Sequence, residues 1–147
     1  MFLKQVGYKG ELIARTFIVD SIKGKNKTFK LMQLDWLIEL DNRIIVFEIK
    51  TQEQYDSPDG HGLPPYQIKS RLSLLKAFNK EALFLFVVIC LTDSCIYTLE
   101  IKDNWEKIGF YTKTKTRFIF PLELFKKHST TNLEIDKLID FYKTRKL

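Results

Sequence analysis

The sequence has little cysteine. Its 147 residues include only Cys90 and Cys95, which flank a predicted turn and have no His or Cys partner at metal-binding spacing. This scarcity excludes a disulfide scaffold and a structural zinc site, and it favours two reduced thiols in a cytoplasmic protein.

The sequence also has no apolar run long enough for a membrane helix. The longest is ALFLFVVICL, residues 82–91, which covers about half of a membrane span and is predicted as a buried strand. The N-terminal residues MFLKQVGYKGEL contain no apolar signal-peptide core and no small-residue cleavage site. We therefore expect neither secretion nor a membrane partner.

Hydrophobic residues make up 45% of the chain and aromatic residues 14%, which excludes a disordered protein. The length favours one domain over residues 1–147. We expect its core over about residues 7–102, followed by a C-terminal strand and helix over residues 103–147.

The net charge of +6 is distributed unevenly. Lys and Arg outnumber Asp and Glu by seven to two in residues 1–34 and by ten to six in residues 103–147, whereas residues 35–102 carry seven basic and ten acidic residues. Basic ends around an acidic centre suggest cations gathered at one place and phosphates held around it. Lysine-rich flanks that only increase solubility would give the same distribution.

The hydrophobic pattern predicts an α/β fold, with a central mixed β-sheet flanked by helices on both sides. The predicted order is a helix over 8–21, strands over 28–40 and 43–50, a long polar loop over 51–65, a helix over 66–78, strands over 82–91, 94–102 and 117–122, and a helix over 130–147.

Acidic residues occur within the most apolar strands, in LDWLIELDNRIIVFEIK (residues 34–50). If Asp41 and Asn42 are the centre of a hairpin loop, the numbers of paired residues sum to 83, and Asp35 lies opposite Glu48. Their Cβ atoms would be about 5 Å apart. Lys50, two residues after Glu48, would share that face.

Two carboxylates placed opposite each other destabilise a sheet unless a cation compensates them. Mg²⁺ commonly binds through one or two carboxylates, so Asp35 and Glu48 predict a divalent metal site. The alternative is a structural ion pair in which Lys50 neutralises these acids.

Asp35, a hairpin, and then Glu48, Ile49 and Lys50 resemble the D-Xn-E-x-K signature of the PD-(D/E)XK nuclease superfamily. That family has a helix before the hairpin that often carries an acid, which matches Glu11. Its next helix frequently brings a Gln to the site, which matches Gln67. The element order over about residues 7–91 is also similar.

Two positions depart from the family pattern. Leu34 precedes the first acid where the family often has Pro. Arg71 follows Gln67 where some exonuclease branches have Tyr. In size and layout the chain is most similar to small Holliday-junction resolvase-like members.

The resemblance implies a restriction-endonuclease-like core and a metal-dependent nuclease that hydrolyses DNA phosphodiester bonds, with a selectivity for junction or branched DNA. Asp35, Glu48, the Ile49 carbonyl and Glu11 would bind Mg²⁺, for which Mn²⁺ is expected to substitute. Lys50 would orient the attacking water or stabilise negative charge, and Gln67 would position a phosphate or the nucleophile.

Several basic residues are candidates for contact with DNA. Lys113, Lys115 and Arg117 alternate, so in a strand they would project to one side and follow a phosphate backbone, although lysines that protect an edge strand give the same pattern. Lys69 and Arg71 are predicted on the same helix as Gln67, either in contact with phosphate or on a solvated face. His61 is predicted in the loop next to the site, as a substrate contact or as an ordinary loop residue.

Two other functions remain open from the sequence. One is a nucleic-acid-binding module of the same fold that does not cleave, and the other is a protein-interaction domain with a structural ion pair. Because one small domain offers limited surface to a duplex and two nicks need two active sites, we also expect a homodimer.

Overall fold

The structure is a computed structural model that describes residues 9–10, 12–14, 16, 29–32, 37–40, 43–56 and 59–128. The strands in these residues are β1 (Phe29–Met32), β2 (Leu37–Leu40), β3 (Arg43–Gln52), β4 (Tyr55–Asp56), β5 (Asp59–Leu63), β6 (Glu81–Cys90), β7 (Cys95–Ile101), β8 (Phe110–Tyr111), β9 (Phe118–Pro121) and β10 (Lys126–His128). The helices are α1 (Pro65–Leu75), the 3-10 turns Trp105–Lys107 and Leu122–Leu124, and helical residues at 9–10, 12–14 and 16.

These elements form one α/β domain with two sheets. The larger has the strand order β1-β2-β3-β6-β7-β10, and the smaller has the order β4-β5-β9-β8. Within the larger sheet, β3 and β6 are parallel and the other neighbours are antiparallel. A parallel pair needs a crossover connection, which β4, β5 and α1 provide here.

β3 and β6 form the centre of the larger sheet because their sequences are almost continuously apolar. They pair along their whole length, from Arg43 opposite Glu81 to Gln52 opposite Cys90. β-branched and aromatic side chains suit strands that are buried on both faces. The prediction of buried strands here is confirmed, since Phe47, Phe86 and Val87 are all fully buried.

One face of this sheet is covered by both α1 and the smaller sheet. Ile68 and Leu72 of α1 share a buried cluster with Phe86 of β6 and with Phe118 and Phe120 of β9. Pro65 begins the helix, where its missing N–H costs nothing because the first helical N–H groups have no intrahelical partner. The helix predicted after the Pro-Pro pair is therefore confirmed.

The first helical residues lie against the other face of β3. A Cβ added at Gly10 would collide with the side chain of Thr51. In a strand, Thr51 points away from the face that carries Lys50 and Gln52. Helical residues are thus present on both sides of β3, and the rest of the helix predicted over 8–21 lies outside the described residues.

The single strand predicted over 28–40 is wrong. Phe29–Met32 and Leu37–Leu40 are two strands that pair with each other, with Met32 opposite Leu37. The residues between these strands include no Gly or Pro, and Asp35 is the single one there that is common in turns, so the local signal for a reversal is weak. The hairpin register of β2 and β3 is confirmed where it is described, with Leu37 opposite Val46.

The loop predicted over 51–65 is also wrong. Residues 51–52 extend β3. β4 and β5 form a hairpin, and they are the first two strands of the smaller sheet. β5 then pairs with β9, with Gly60 opposite Pro121. Its polar and glycine-rich sequence suggested a loop, but a downstream strand satisfies its backbone hydrogen bonds.

Cys90 and Cys95 are free, buried and directly opposite each other across β6 and β7. Burial raises the pKa of the Cys90 thiol to about 11 and also raises the pKa of Cys95. Both groups are therefore protonated thiols near neutral pH and weak nucleophiles. Among the described helices, none is long and apolar enough to cross a membrane.

Replacing Gly60 by Ala should destabilise the domain by about 2 kcal/mol. A Cβ at this position would collide with the backbone carbonyl oxygen of Phe120, so β5 and β9 would have to separate. Urea unfolding of wild type, Gly60→Ala and Ser70→Ala measures this, and the exposed Ser70 serves as the control. Equal stability of all three proteins would contradict the close approach of these strands.

Candidate functional site

Glu48 and Lys50 lie on the same face of β3. They are two residues apart in one continuous strand, so their side chains point in the same direction. Glu48 is 8% exposed, which is rare for a carboxylate, and Lys50 is half-buried. The sequence prediction that these two residues share a face is confirmed, and Ile49 between them is buried on the other side.

Arg71 of α1 provides the positive charge nearest to Glu48 among the described ion pairs. Its Nη2 atom lies 3.0 Å from Glu48 Oε1, with the side chains 27% and 11% exposed. Glu48 Oε1 nevertheless has no hydrogen-bond partner within the described residues. The contact is therefore a Coulombic ion pair without a directional bond. Arg71 is therefore partly buried and paired with an acid, and its contact with phosphate stays a prediction.

Gln67 lies one helical turn before Arg71. Its Nε2 donates a hydrogen bond of 3.3 Å to the hydroxyl of Tyr66, which is 68% exposed. Its Oε1 is buried and has no hydrogen-bond partner among the described residues. The helix thus exposes Tyr66 and directs an unpaired amide oxygen inward.

The direction of α1 places Gln67 at the level of Lys50. Leu75, at the end of α1, packs against the cluster of Leu37, Ile44 and Val46, and Arg71 contacts Glu48. The helix therefore runs antiparallel to β3. One helical turn advances about 5.4 Å and two strand residues about 6.6 Å. A step from Arg71 back to Gln67 therefore corresponds to a step from Glu48 to Lys50.

We refer to Glu48, Lys50, Gln67 and Arg71 as the β3–α1 site. It combines one buried carboxylate, two cationic side chains and one amide on one face of the sheet. The cations are suited to bind a phosphate, and the carboxylate is an oxygen ligand that a metal ion could use in competition with Arg71.

Two predicted members, Asp35 and Glu11, lie outside the described residues, and their placement in the site stays a prediction. Asp35 follows β1 and precedes β2, whose described pairing with β3 begins at Leu37. On the β2 side of β3, no described strand pairs beyond Val46.

The donors that are described fit part of a Mg²⁺ site. Glu48 Oε1 and Gln67 Oε1 are buried oxygen atoms without hydrogen-bond partners in the described ranges, and Mg²⁺ prefers oxygen ligands. Those ranges contain no group of three or more His, Cys, Asp or Glu side chains that could hold a metal. A complete centre therefore requires at least one carboxylate from outside them.

Lys113, Lys115 and Arg117 would project to one side only if they lay in a strand, and they do not. Residues 112–117 form a turn between β8 and β9, closed by a hydrogen bond of 2.9 Å from Thr112 N to Arg117 O. Lys115 has a φ of 58°, which a strand does not allow. The three cations are exposed at the turn, so they do not form a row along one face. Lys69 is exposed on α1.

His61 is not a loop residue in contact with solvent. It belongs to β5, is fully buried, and stacks against Tyr97 and Phe125. Its predicted role as a direct nucleic-acid contact is therefore wrong. The flanking glycines suggested a flexible loop, but they allow the close approach of β9 at this place.

Gln52 links His61 and β5 to the main sheet, and sequence reasoning missed it. Its Oε1 accepts hydrogen bonds from Gly62 N (3.0 Å) and His61 Nδ1 (2.9 Å), and its Nε2 donates to Gly62 O (3.2 Å). Because the two Gly62 bonds fix the amide orientation, His61 carries its proton on Nδ1. The one available signal was position, since Gln52 follows Glu48 and Lys50 on the same strand face.

Comparisons with known proteins identify no relative. No protein-family model matches the sequence, and no curated protein matches it. The functional argument therefore depends on the residues and their geometry.

Acid should destabilise the protein through His61. Burial lowers its pKa from 6.5 to about 4, against a smaller opposing effect of Asp93. Between these values the unfolded chain binds more protons than the folded one, so stability falls as pH falls. From pH 7 to pH 4.5 this contributes a loss of about 2.5 kcal/mol.

Urea unfolding at both pH values, in wild type and in His61→Asn, measures this contribution. The variant removes the titrating ring and keeps an N–H donor for Gln52. Its pH-dependent loss should be smaller than that of wild type by the stated amount. An identical loss in both proteins would show that His61 does not cause it.

Proposed function

We propose that this protein is a metal-dependent nuclease of the PD-(D/E)XK type that hydrolyses DNA phosphodiester bonds. The observation that carries the proposal is the carboxylate of Glu48. It is almost fully buried, lies on the same strand face as Lys50, and has an oxygen without a hydrogen bond in the described structure. A buried charge in this state costs stability, and a catalytic role explains why it is kept.

The order of elements supports the proposal. A restriction-endonuclease-like core is expected to have a helix, a strand, a hairpin, a helix and a strand. The described chain has helical residues before β1, the β2–β3 hairpin, α1 and then β6, which is parallel to β3. In this arrangement the E-x-K residues of β3 face the helix that carries Gln67.

In this proposal Glu48, Asp35, Glu11 and the Ile49 carbonyl hold Mg²⁺, or Mn²⁺ in its place. An ion held by these residues would lower the pKa of a bound water and polarise the scissile phosphate. The two ligands outside the described residues, Asp35 and Glu11, supply the carboxylates that the described part lacks.

The side chains on the same face perform the remaining steps. The ammonium group of Lys50 stabilises the negative charge that develops on the phosphate oxygens as water adds to phosphorus, or it orients that water. The amide of Gln67 positions the phosphate or the nucleophile. The ester oxygen leaves with the bonding electrons and takes up a proton.

Surface charge supports DNA as the substrate. Lys69 and the turn cations Lys113, Lys115 and Arg117 are exposed, and the described carboxylates form no ion pair with them. Such cations can exchange counterions for DNA phosphates, so binding should weaken as salt increases. A preference for junction or branched DNA, and a homodimer that cuts two strands, are finer parts of this proposal.

The Arg71–Glu48 ion pair favours a second candidate, in which the same fold binds nucleic acid or protein without cleaving. In that case Glu48 serves stability alone, and added Mg²⁺ has no site. The two candidates therefore predict different responses to metal.

Cleavage of duplex, nicked, branched and single-stranded DNA with Mg²⁺ tests the nuclease proposal. Glu48→Gln should lower the rate by several orders of magnitude because it removes a metal ligand. Lys50→Met should lower it by roughly 10²- to 10³-fold because it removes a charge that stabilises the transition state. The exposed controls Glu123→Gln and Lys102→Met should retain the wild-type rate.

Thermal unfolding with Mg²⁺ and with a chelator separates the two candidates. If Glu48 is a metal ligand, Mg²⁺ stabilises wild type, and Glu48→Gln loses that gain. A wild-type protein that binds DNA, ignores Mg²⁺ and cleaves no substrate would support the non-cleaving candidate and end the nuclease proposal.

A further inference from the structure

Arg71 and Glu48 form an ion pair that leaves polar atoms of both partners unsatisfied. Arg71 Nε and Glu48 Oε1 are both buried, and neither has a hydrogen-bond partner among the described residues. A stable Arg–carboxylate pair usually makes two parallel hydrogen bonds, and burial without them is unfavourable. The observed contact of 3.0 Å therefore neutralises charge but leaves hydrogen-bonding capacity for other groups.

The unused atoms indicate which other groups these are. A carboxylate oxygen without a donor accepts a cation, and a guanidinium Nε–H without an acceptor binds an anion. Arg71 is also 27% exposed, so its side chain reaches from the buried carboxylate toward solvent. Because Nε itself is buried in the described structure, a phosphate that arrives from solvent can reach it only when the Arg71 side chain turns away from Glu48.

We propose that Arg71 exchanges partners during the reaction, an inference that rests on the proposed nuclease function. In the metal-free protein its guanidinium neutralises Glu48, and when Glu48 binds the metal ion, Arg71 binds a phosphate of the DNA. Glu48 and Arg71 then each have an oppositely charged partner in both states.

The exchange makes metal and DNA binding cooperative. Arg71 competes with the metal for Glu48, so it weakens metal binding in the absence of DNA. A DNA phosphate that draws Arg71 away removes this competition, and by linkage the metal strengthens DNA binding by the same factor. Coupling of this kind typically amounts to roughly 5- to 150-fold.

The test combines two measurements that should change in opposite directions. Isothermal titration calorimetry measures Mg²⁺ binding to the DNA-free protein, and cleavage kinetics measure kcat/KM for DNA. In Arg71→Met, Mg²⁺ should bind roughly tenfold more tightly because the competing cation is gone. In the same variant kcat/KM should fall by roughly 10²-fold because the phosphate has lost its partner.

Two further variants make the result specific. Lys76→Met removes an exposed cation near the end of the same helix and should change neither quantity. Arg71→Lys keeps the charge and should leave Mg²⁺ affinity near that of wild type, while kcat/KM falls less than in Arg71→Met. If Arg71→Met does not fold, its urea melt shows this, and Arg71→Gln takes its place.

The outcomes distinguish this inference from the proposed function. A wild-type protein that neither binds Mg²⁺ nor cleaves DNA would contradict the nuclease proposal and the exchange with it. A wild-type protein that cleaves, with Arg71→Met showing unchanged or weaker Mg²⁺ binding, would overturn the exchange alone. Tighter Mg²⁺ binding together with slower cleavage would support both.

Discussion

The parallel pairing of β3 with β6 determines the position of every residue in the β3–α1 site. It runs along the whole of both strands, so β3 cannot shift by one residue without moving its apolar side chains to the wrong face. Val46 and Glu48 therefore stay on the face that α1 covers. The stability of the sheet therefore keeps the carboxylate of Glu48 in a buried position, which would otherwise be unfavourable for a charged group.

The parallel arrangement also explains why α1 carries the rest of the site. A parallel connection must return along the sheet, and the helix that makes this return runs antiparallel to β3. Side chains at a spacing of one helical turn then match alternate residues of the strand. Arg71 is paired with Glu48 in this way, and the same spacing puts Gln67 one helical turn away, toward Lys50.

Much of the central sheet could be predicted from the sequence because its signals are local. The Asp41-Asn42 centre predicted the register of β2 and β3, and the two prolines before α1 predicted where the helix begins. These features depend on residues a few positions apart. The shared face of Glu48 and Lys50 followed from strand alternation alone.

The errors concern elements whose partners are distant in sequence. The reversal between Met32 and Leu37 has no Gly or Pro to mark it, and β1 is defined only by its pairing with β2. The β4–β5 segment resembles a loop until β9 pairs with it. To predict that Arg71 pairs with Glu48, one must know where along β3 the helix α1 packs. That position is set by the tertiary structure and not by the local sequence. His61 showed the same limit, since a histidine between two glycines gives no sign that it will be buried.

The β5–β9 pairing has a consequence for the order of folding. Gly60 and Pro121 are opposite each other although about sixty residues separate them, and long-range pairings of this kind form slowly. β3, α1 and β6 are all synthesised before β9 leaves the ribosome. During that interval the edge of β5 that will pair with β9 is unpaired. The glycines that later allow β9 to approach closely also leave this edge without side chains that could block other strands. The segment beside the candidate site is therefore the one most open to mispairing while the chain is being made.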